Sequence, residues 1–451
     1  VTSALLLAAL LATDPASPAT STSPAATPTV PPGSAAAVDP LAAPAPAVLT
    51  LADALAELDR RSPTLSQARA RADEASALSR QVLAPLLPQL TATGGLVHNN
   101  DQVKTPTIPG LTTGILIQPY DQISVGASLR IPLLMPSAWF DLAASRAAAR
   151  GSAEQASATR LALRAALVTQ AHLAVAVEEA VAAAERSLAS ARELASSAGR
   201  RVQAGTAAPL DALRAATEQV KREGDLVRSR ADLERMQLAL GVLLGRDQPV
   251  RVLVPPPAAP APATPEALVA EALGGRPELR AQALQVSAAQ EQLRSAWARL
   301  APTLSISGSV FAADVPYPTG EKQGWKTTVD LTWLLYDGGL RYGKRSEAEA
   351  RLASASATEE AQRLAISQET RDAAREVVVA AERLRLAGEQ RRLAAEAAGS
   401  AQRTYELGVA SSLDVVDAND RRYAADIGLA EAQARLAGAR VALEHALGRG
   451  P

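Results

Sequence analysis

The sequence contains no cysteine, only two phenylalanines, and 3% aromatic residues over 451 positions. Without cysteine there are no disulfides, no thiolate metal ligands and no cysteine nucleophile. So few aromatics argue against a large compact core, which needs bulky side chains to reach native packing density. An excess of either charge is also lacking. Forty-six Lys and Arg against 47 Asp and Glu leave a formal net charge of −1, with no electrostatic footprint for nucleic acid. The charges are interspersed, as in Glu178-Glu179, Glu185-Arg186 and Arg192-Glu193, the pattern of a solvated helix face. No run of about 18 purely apolar residues occurs, so a transmembrane helix is not expected. His98, His172 and His445 are scattered without metal-ligand spacing, and no phosphate-cradling glycine loop is present. No catalytic residue, metal or cofactor is expected.

What is present is alanine in long helical patterns. Small side chains let helix backbones approach closely, so the composition favours elongated helices. At the start, Ala4–Ala12 is a short apolar run like the core of a secretory signal. It is followed by a Pro, Ala, Ser and Thr tether, and residues 1–48 are set apart as signal-like segment and tether.

An internal duplication organises the remainder. Pro63 and Pro88 lie 25 residues apart, as do Pro277 and Pro302, at an offset of 214. Further on, AGTAAPLDAL (204–213) matches LGVASSLDVV (407–416), and LGVLLGR (240–246) matches LEHALGR (443–449), both at an offset of 203. The two repeats cover 49–246 and 265–449, joined by a Pro/Ala-rich linker over 247–264. Each reads as helix, strand, loop, strand, very long helix, tight turn, helix. The opening helices are expected over about 51–84 and 265–300, and the long ones over about 137–204 and 339–407. At 1.5 Å per residue each long helix spans roughly 100 Å. Apolar positions step 4-3 from Leu163 through Leu167, Ala174, Val181 and Leu188 to Val202, a seam built largely of alanine.

Four segments of about ten residues read as strands: 89–98, 122–131, 303–313 and 325–335. Leu304, Ile306, Gly308 and Val310 alternate with Thr303, Ser305, Ser307 and Ser309. That period, and that length, suit a barrel strand between lipid and lumen. A small soluble sheet capping a helical rod fits the alternation as well. Trp139, Phe140, Trp333 and Tyr336 gather where strands return to helix, as an interfacial girdle does. Four strands cannot close a barrel, and an open edge is not tolerated in lipid. Three copies would supply twelve. The intervening loops, 99–121 and 314–324, differ in length and absorb the change in offset.

With its duplicated order, its LLPQL (86–90) and LAPTL (300–304) junctions, the YDGG turn at 336–339 and YELGVASSLDVVDAND at 405–420, the chain resembles the TolC family of outer-membrane efflux proteins. The resemblance implies a mainly α protomer with a small antiparallel β part: a duplicated helix–β-hairpin–long helix–helix chain. It further implies a homotrimer whose four strands per chain form a 12-stranded outer-membrane barrel, continued by a periplasmic coiled-coil tunnel. Such a duct serves efflux or type I secretion, and its partners are outer-membrane lipid, a periplasmic adaptor and an inner-membrane transporter. The alternative is a periplasmic coiled-coil adaptor or scaffold without a pore.

By the same resemblance, the turns at Gly205 and Gly408 are the adaptor-docking tips. Asp414 and Asp417, three apart on one helix face, are the carboxylate rings of a periplasmic gate. Carboxylates about 8 Å apart repel by roughly 2 kcal/mol per pair at an effective dielectric of 20, so other contacts must hold the entrance closed. Tyr405 and Asp211 match the family's gate tie, while Ala410 stands where the family has a second tie, an Arg. For Asp414 a second reading is open, because Ser411-x-x-Asp414 is also a capping-box pattern.

Overall fold

The structure, a computed structural model, describes residues 46–105, 116–255, 264–317 and 320–450. Most of the 1–48 segment, the middle of the 99–121 loop and the Pro/Ala run of the linker lie outside the described residues.

In the first half the elements are β1 (Ala47–Thr50), α1 (Leu51–Arg61), α2 (Pro63–Leu83), β2 (Gln89–His98), β3 (Val103–Lys104), β4 (Leu116–Gln118), β5 (Asp121–Leu134), α3 (Pro136–Gln203) and α4 (Pro209–Leu243). The second half has β6 (Val250–Leu253), α5 (Pro265–Gly275), α6 (Pro277–Ala298), β7 (Thr303–Ala313), β8 (Gln323–Thr332), α7 (Leu340–Glu406) and α8 (Ser412–Ala446).

Each opening helix, expected as one piece, is two. The break falls at Ser62 and Arg276, both outside the helical region, directly before Pro63 and Pro277. Proline removes the amide the helix needs and pushes the preceding residue out of the α region. The short parallel sheet of β1 with β6 was not foreseen, and β1 begins inside the segment set apart as tether. Strand β8 ends at Thr332, so Trp333–Leu335 lie beyond the sheet.

The duplication recurs at the level of single contacts. Thr50 and its counterpart Thr264 cap α1 and α5 with side-chain oxygens. Glu57 holds Arg246 at 2.6 and 2.7 Å, and Glu271 holds Arg449 at 2.7 and 3.0 Å. Gly245 and Gly448, both with positive φ, let the end of α4 and of α8 turn back onto the first-helix ends at Arg61 and Gly275. A Cβ at Gly245 would stand 2.8 Å from the Arg61 carbonyl oxygen.

Helix α3 packs against α2 and α4, and also against α6 and α8; α7 packs beyond these on α5, α6 and α8. The order across the wall is therefore α2/α4, α3, α6/α8, α7. A single apolar seam was expected on α3. With neighbours to both sides it buries two, and Ala165, Val168, Ala171 and Ala176 join Leu167, Ala174 and Leu188. Alanine makes this possible because it presents apolar surface all round without bulk. The same property gives α3 an 18-residue stretch apolar enough to cross a membrane by composition, which the reading of uninterrupted runs had missed. That helix belongs to the packed wall. At its outer edges the wall leaves apolar side chains uncovered: Val220, Val227 and Val242 on α4, and Leu364, Val378 and Leu386 on α7.

The sheet runs β2-β5-β7-β8, antiparallel throughout. Register places Leu90 opposite Leu129, Leu129 opposite Gly308, Ile306 opposite Val329 and Val310 opposite Trp325 on one face. Thr91, Ser128, Ser307 and Thr328 line up on the other. One face is apolar and exposed, the other is mostly hydroxyls and glycines. Among the described residues, strands β2 and β8 each keep one edge unpaired.

Candidate functional site

The end of the wall away from the sheet is built by two turns. Helix α3 closes with Gly205 at φ +73°, where Thr206 N–H donates to Arg201 O at 2.9 Å and Gly205 N–H to Val202 O at 3.0 Å. Helix α7 closes likewise through Gly408 at φ +77°, with Val409 N–H donating to Thr404 O at 3.0 Å. These are left-handed glycine caps of the Schellman type. They leave Leu407 and Val409 78% and 81% exposed at the extreme tip.

Behind the turns the four helix ends meet in a small core of Leu194, Ala198, Ala215, Tyr405 and Val415, with Ala410 packed against it. Tyr405 is an anchor of this core, 4% exposed, with the Arg201 guanidinium 4.4 Å above its ring. Arg201 also donates to the Glu406 carbonyl at 2.8 Å, joining α3 to α7. The structure does not bring Tyr405 and Asp211 together. The tyrosine hydroxyl is buried without a hydrogen-bond partner among the described residues, and Asp211 instead accepts from Ser412 Oγ at 2.8 Å. A cross-helix tie thus exists at Asp211, with Ser412 of α8 as its donor.

Asp414 is the third residue of a reciprocal capping box. Its N–H donates to Ser411 Oγ at 3.3 Å, and its carboxylate accepts from Ser411 N–H at 2.9 Å. The Ser411 backbone and hydroxyl bonds hold its pKa below the ordinary carboxylate value. Asp417 pairs with Arg421 at 2.9 Å on an exposed face of α8. Neither aspartate bonds to another helix among the described residues.

Three residues further, Asp420 does. It takes Lys221 Nζ at 2.9 Å and Arg222 from α4. Arg222, only 4% exposed, also holds Glu218 at 2.6 Å and Asp225 at 3.0 Å and lies 4.8 Å over the Tyr423 ring. One and a half turns on, Asp426 takes Arg391 of α7 at 2.9 Å and Arg186 of α3 at 3.7 Å. Helix α8 is thereby fastened to α3, α4 and α7 through its acidic residues. Asp420 closes the YELGVASSLDVVDAND motif at the same three-residue spacing as Asp414 and Asp417, and that spacing was the available signal for its importance. The basic partners on α4 carry no such mark in the sequence.

An elongated duplicated wall, mostly helical and ending in a small antiparallel sheet with one apolar and one polar face, defines the class: channel-forming proteins of helical tunnel and β-sheet. The outer membrane efflux protein family model matches residues 54–246 and 268–449, and the chain belongs to that family. Among solved structures it is similar to the Campylobacter jejuni CmeC outer membrane channel, at 16% identity and TM-score 0.77, covering 88% of this chain and 85% of that one. It is similar to the outer membrane protein VceC of Vibrio cholerae at 18% identity and TM-score 0.75, covering 89% and 96%. The open state of the Neisseria gonorrhoeae MtrE outer membrane channel gives 20% identity and TM-score 0.74, with 89% of each chain covered. No curated protein sequence matches. The protein is an outer-membrane channel-tunnel for efflux that extends into the periplasm, and its family consists of channels, not enzymes. Nothing in the fold or the family supports a scaffold without a pore.

Proposed function

We propose that three copies of the chain close into one passive export duct, a 12-stranded barrel in the outer membrane above a helical periplasmic tunnel, which itself catalyses no reaction. The observation that carries this reading is that sheet and wall end at matching open edges. Among the described residues, strands β2 and β8 lack partners at the two ends of the sheet, and α4 and α7 leave apolar rows uncovered at the two ends of the wall. An unpaired strand edge has no place in lipid, so the β8 edge of one copy joins the β2 edge of the next. Twelve strands about 4.8 Å apart, tilted by about 40°, enclose a barrel roughly 24 Å across between backbones. In this reading 49–246 and 265–449 are the two repeats, and 247–264 is the linker between them.

At the periplasmic end, Asp414 and Asp417 form two carboxylate rings that favour cations. Their exposure, and their freedom from other helices, support the role. The entrance is held by Asp211 with Ser412 and by Asp420 with Lys221 and Arg222, Tyr405 acting as the buried anchor. The turns at Gly205 and Gly408, with exposed Leu407 and Val409, dock a periplasmic adaptor that connects the duct to an inner-membrane transporter. Single-channel recording of the purified protein in planar bilayers tests the reading. Wild type gives discrete cation-preferring openings, and Asp414→Asn/Asp417→Asn loses most of that preference. Unchanged selectivity in the double variant returns both aspartates to capping and solvation. No insertion at all refutes the duct.

A further inference from the structure

One of the chain's two phenylalanines stands on the polar face of the sheet. Phe311 follows Ser305, Ser307 and Ser309 along β7 on that face. Its neighbours across the sheet are both glycines, Gly126 on β5 and Gly324 on β8. A Cβ built at Gly324 would meet the phenyl ring at 2.6 and 2.9 Å, so only glycine lets the ring lie flat across β8. Beyond that strand the ring meets Tyr317 edge to face, 5.0 Å between centroids and 77° between planes. Tyr317 is itself fixed in a tight turn, its N–H donating to Glu321 O at 2.9 Å and its carbonyl accepting from Gly320 N–H at 2.8 Å. Phe311 remains 36% exposed.

Covering a strand glycine is reason enough for an aromatic to lie down in a sheet. The ring also has a consequence for transport, which rests on the proposed barrel with its polar face inward. Every other described position of that face on β7 and β8 is Ser, Thr, Gly, Lys or Asp, apart from Ala313 at the end of β7. Phe311 sits two residues before the end of β7, close to the outer opening. We infer that Phe311 and Tyr317 of three copies form an aromatic collar near that opening, a transient binding place for planar aromatic solutes leaving the channel. The dimensions make it a stepping place and not a plug. With about 24 Å between backbones and rings lying along the wall, an opening of roughly 15 Å or more stays clear, so a solute stacks on one ring at a time.

The absence of native cysteine supplies a clean assay. Ser309→Cys places one thiol on the Phe311 side of the same strand, two residues away. In lipid vesicles its labelling rates with naphthylmaleimide and N-ethylmaleimide are compared, with Phe311 intact or replaced. Lys326, opposite Ser309, acts on the thiol equally in all variants, so the ratio of the two rates isolates stacking. The ratio is expected to fall about three- to tenfold in both Phe311→Ala and Phe311→Leu, the range of an aromatic pair contact. A ratio kept in Phe311→Leu leaves only apolar bulk and overturns the collar, as does a ratio unchanged in both. Should Phe311→Ala fail to assemble, Phe311→Leu and Tyr317→Ala carry the comparison. A separate arm checks the barrel: with a membrane-impermeant thiol reagent, Ser309→Cys reacts and Val310→Cys, on the apolar face, does not. The reverse pattern refutes the orientation of the barrel and the collar with it.

Discussion

Arg222 is the residue whose loss should loosen the periplasmic entrance most. It is buried, and it pairs with three carboxylates at once: Glu218 and Asp225 on its own helix and Asp420 on α8. Arg222→Met keeps much of the side chain's length and packing and removes the charge. Lys221 then remains for two of the carboxylates, 2.9 Å from Asp420 and 3.4 Å from Glu218, and Asp225 loses its cation. Breaking a buried pair by deleting one partner costs about 3–5 kcal/mol. The Asp420 side chain is 37% exposed, so water screens part of this and about 2 kcal/mol is expected at the tip. Asp420→Asn leaves Arg222 with its two helix partners and should cost about 1 kcal/mol. Since the contact joins α4 to α8, the loss belongs to local opening of the tip and not to unfolding of the sheet. Hydrogen exchange of the purified protein reads it directly: about 2 kcal/mol corresponds to roughly 30-fold faster exchange at the α4 and α8 starts in Arg222→Met. In planar bilayers the same variant should show larger and more frequent openings. Exchange at the tip within twofold of wild type, together with unchanged openings, would refute the reasoning that these ion pairs hold the entrance.

Gly245→Ala should lower stability by about 2–3 kcal/mol, because it adds a left-handed alanine to a collision with the Arg61 carbonyl; Gly205→Ala, with open space around it, should cost only about 1 kcal/mol. Denaturant midpoints of the two variants in detergent separate these values, and equal losses would contradict the packing argument. Asp59 is gripped by Arg160 at 2.5 and 2.8 Å and by Arg164, bonds that hold its carboxyl well below the usual range. Because its folded pKa is depressed, the stability it contributes is complete above about pH 4 and is lost as pH falls through the folded value. The stability gap between wild type and Asp59→Asn should therefore be flat above about pH 4 and narrow below it, as followed by urea unfolding across pH. His172 is held below its ordinary pKa by burial, so stability should decline as pH falls below about 6.5, where the unfolded chain takes up a proton that the folded one resists. His172→Gln should flatten that limb of the pH profile, and an unaltered slope would assign it to other groups.

Much of this protein was determined by local and periodic features of its sequence. The offsets of 214 and 203 reappear in the structure as paired threonine caps and paired left-handed glycines, because each closes within a few positions of a helix end. Alternation along β7 decided which residues share a face, since side chains in a strand must alternate. The capping box at Ser411 and Asp414 was legible for the same reason: it closes within one turn. Contacts between distant segments were not legible. Nothing local in Lys221-Arg222 marks them as partners of Asp420, some 200 positions away, and nothing in Gly324 tells that a phenyl ring from β7 lies across it. Sequence similarity placed Tyr405 against Asp211, whereas packing of four helix ends buried the tyrosine and handed Asp211 the hydroxyl of Ser412. Alanine explains why only the tertiary structure could decide such matters. A helix that presents small apolar surface on all sides can be packed from several directions, and the choice of neighbours rests on the few charged and bulky side chains that must find partners.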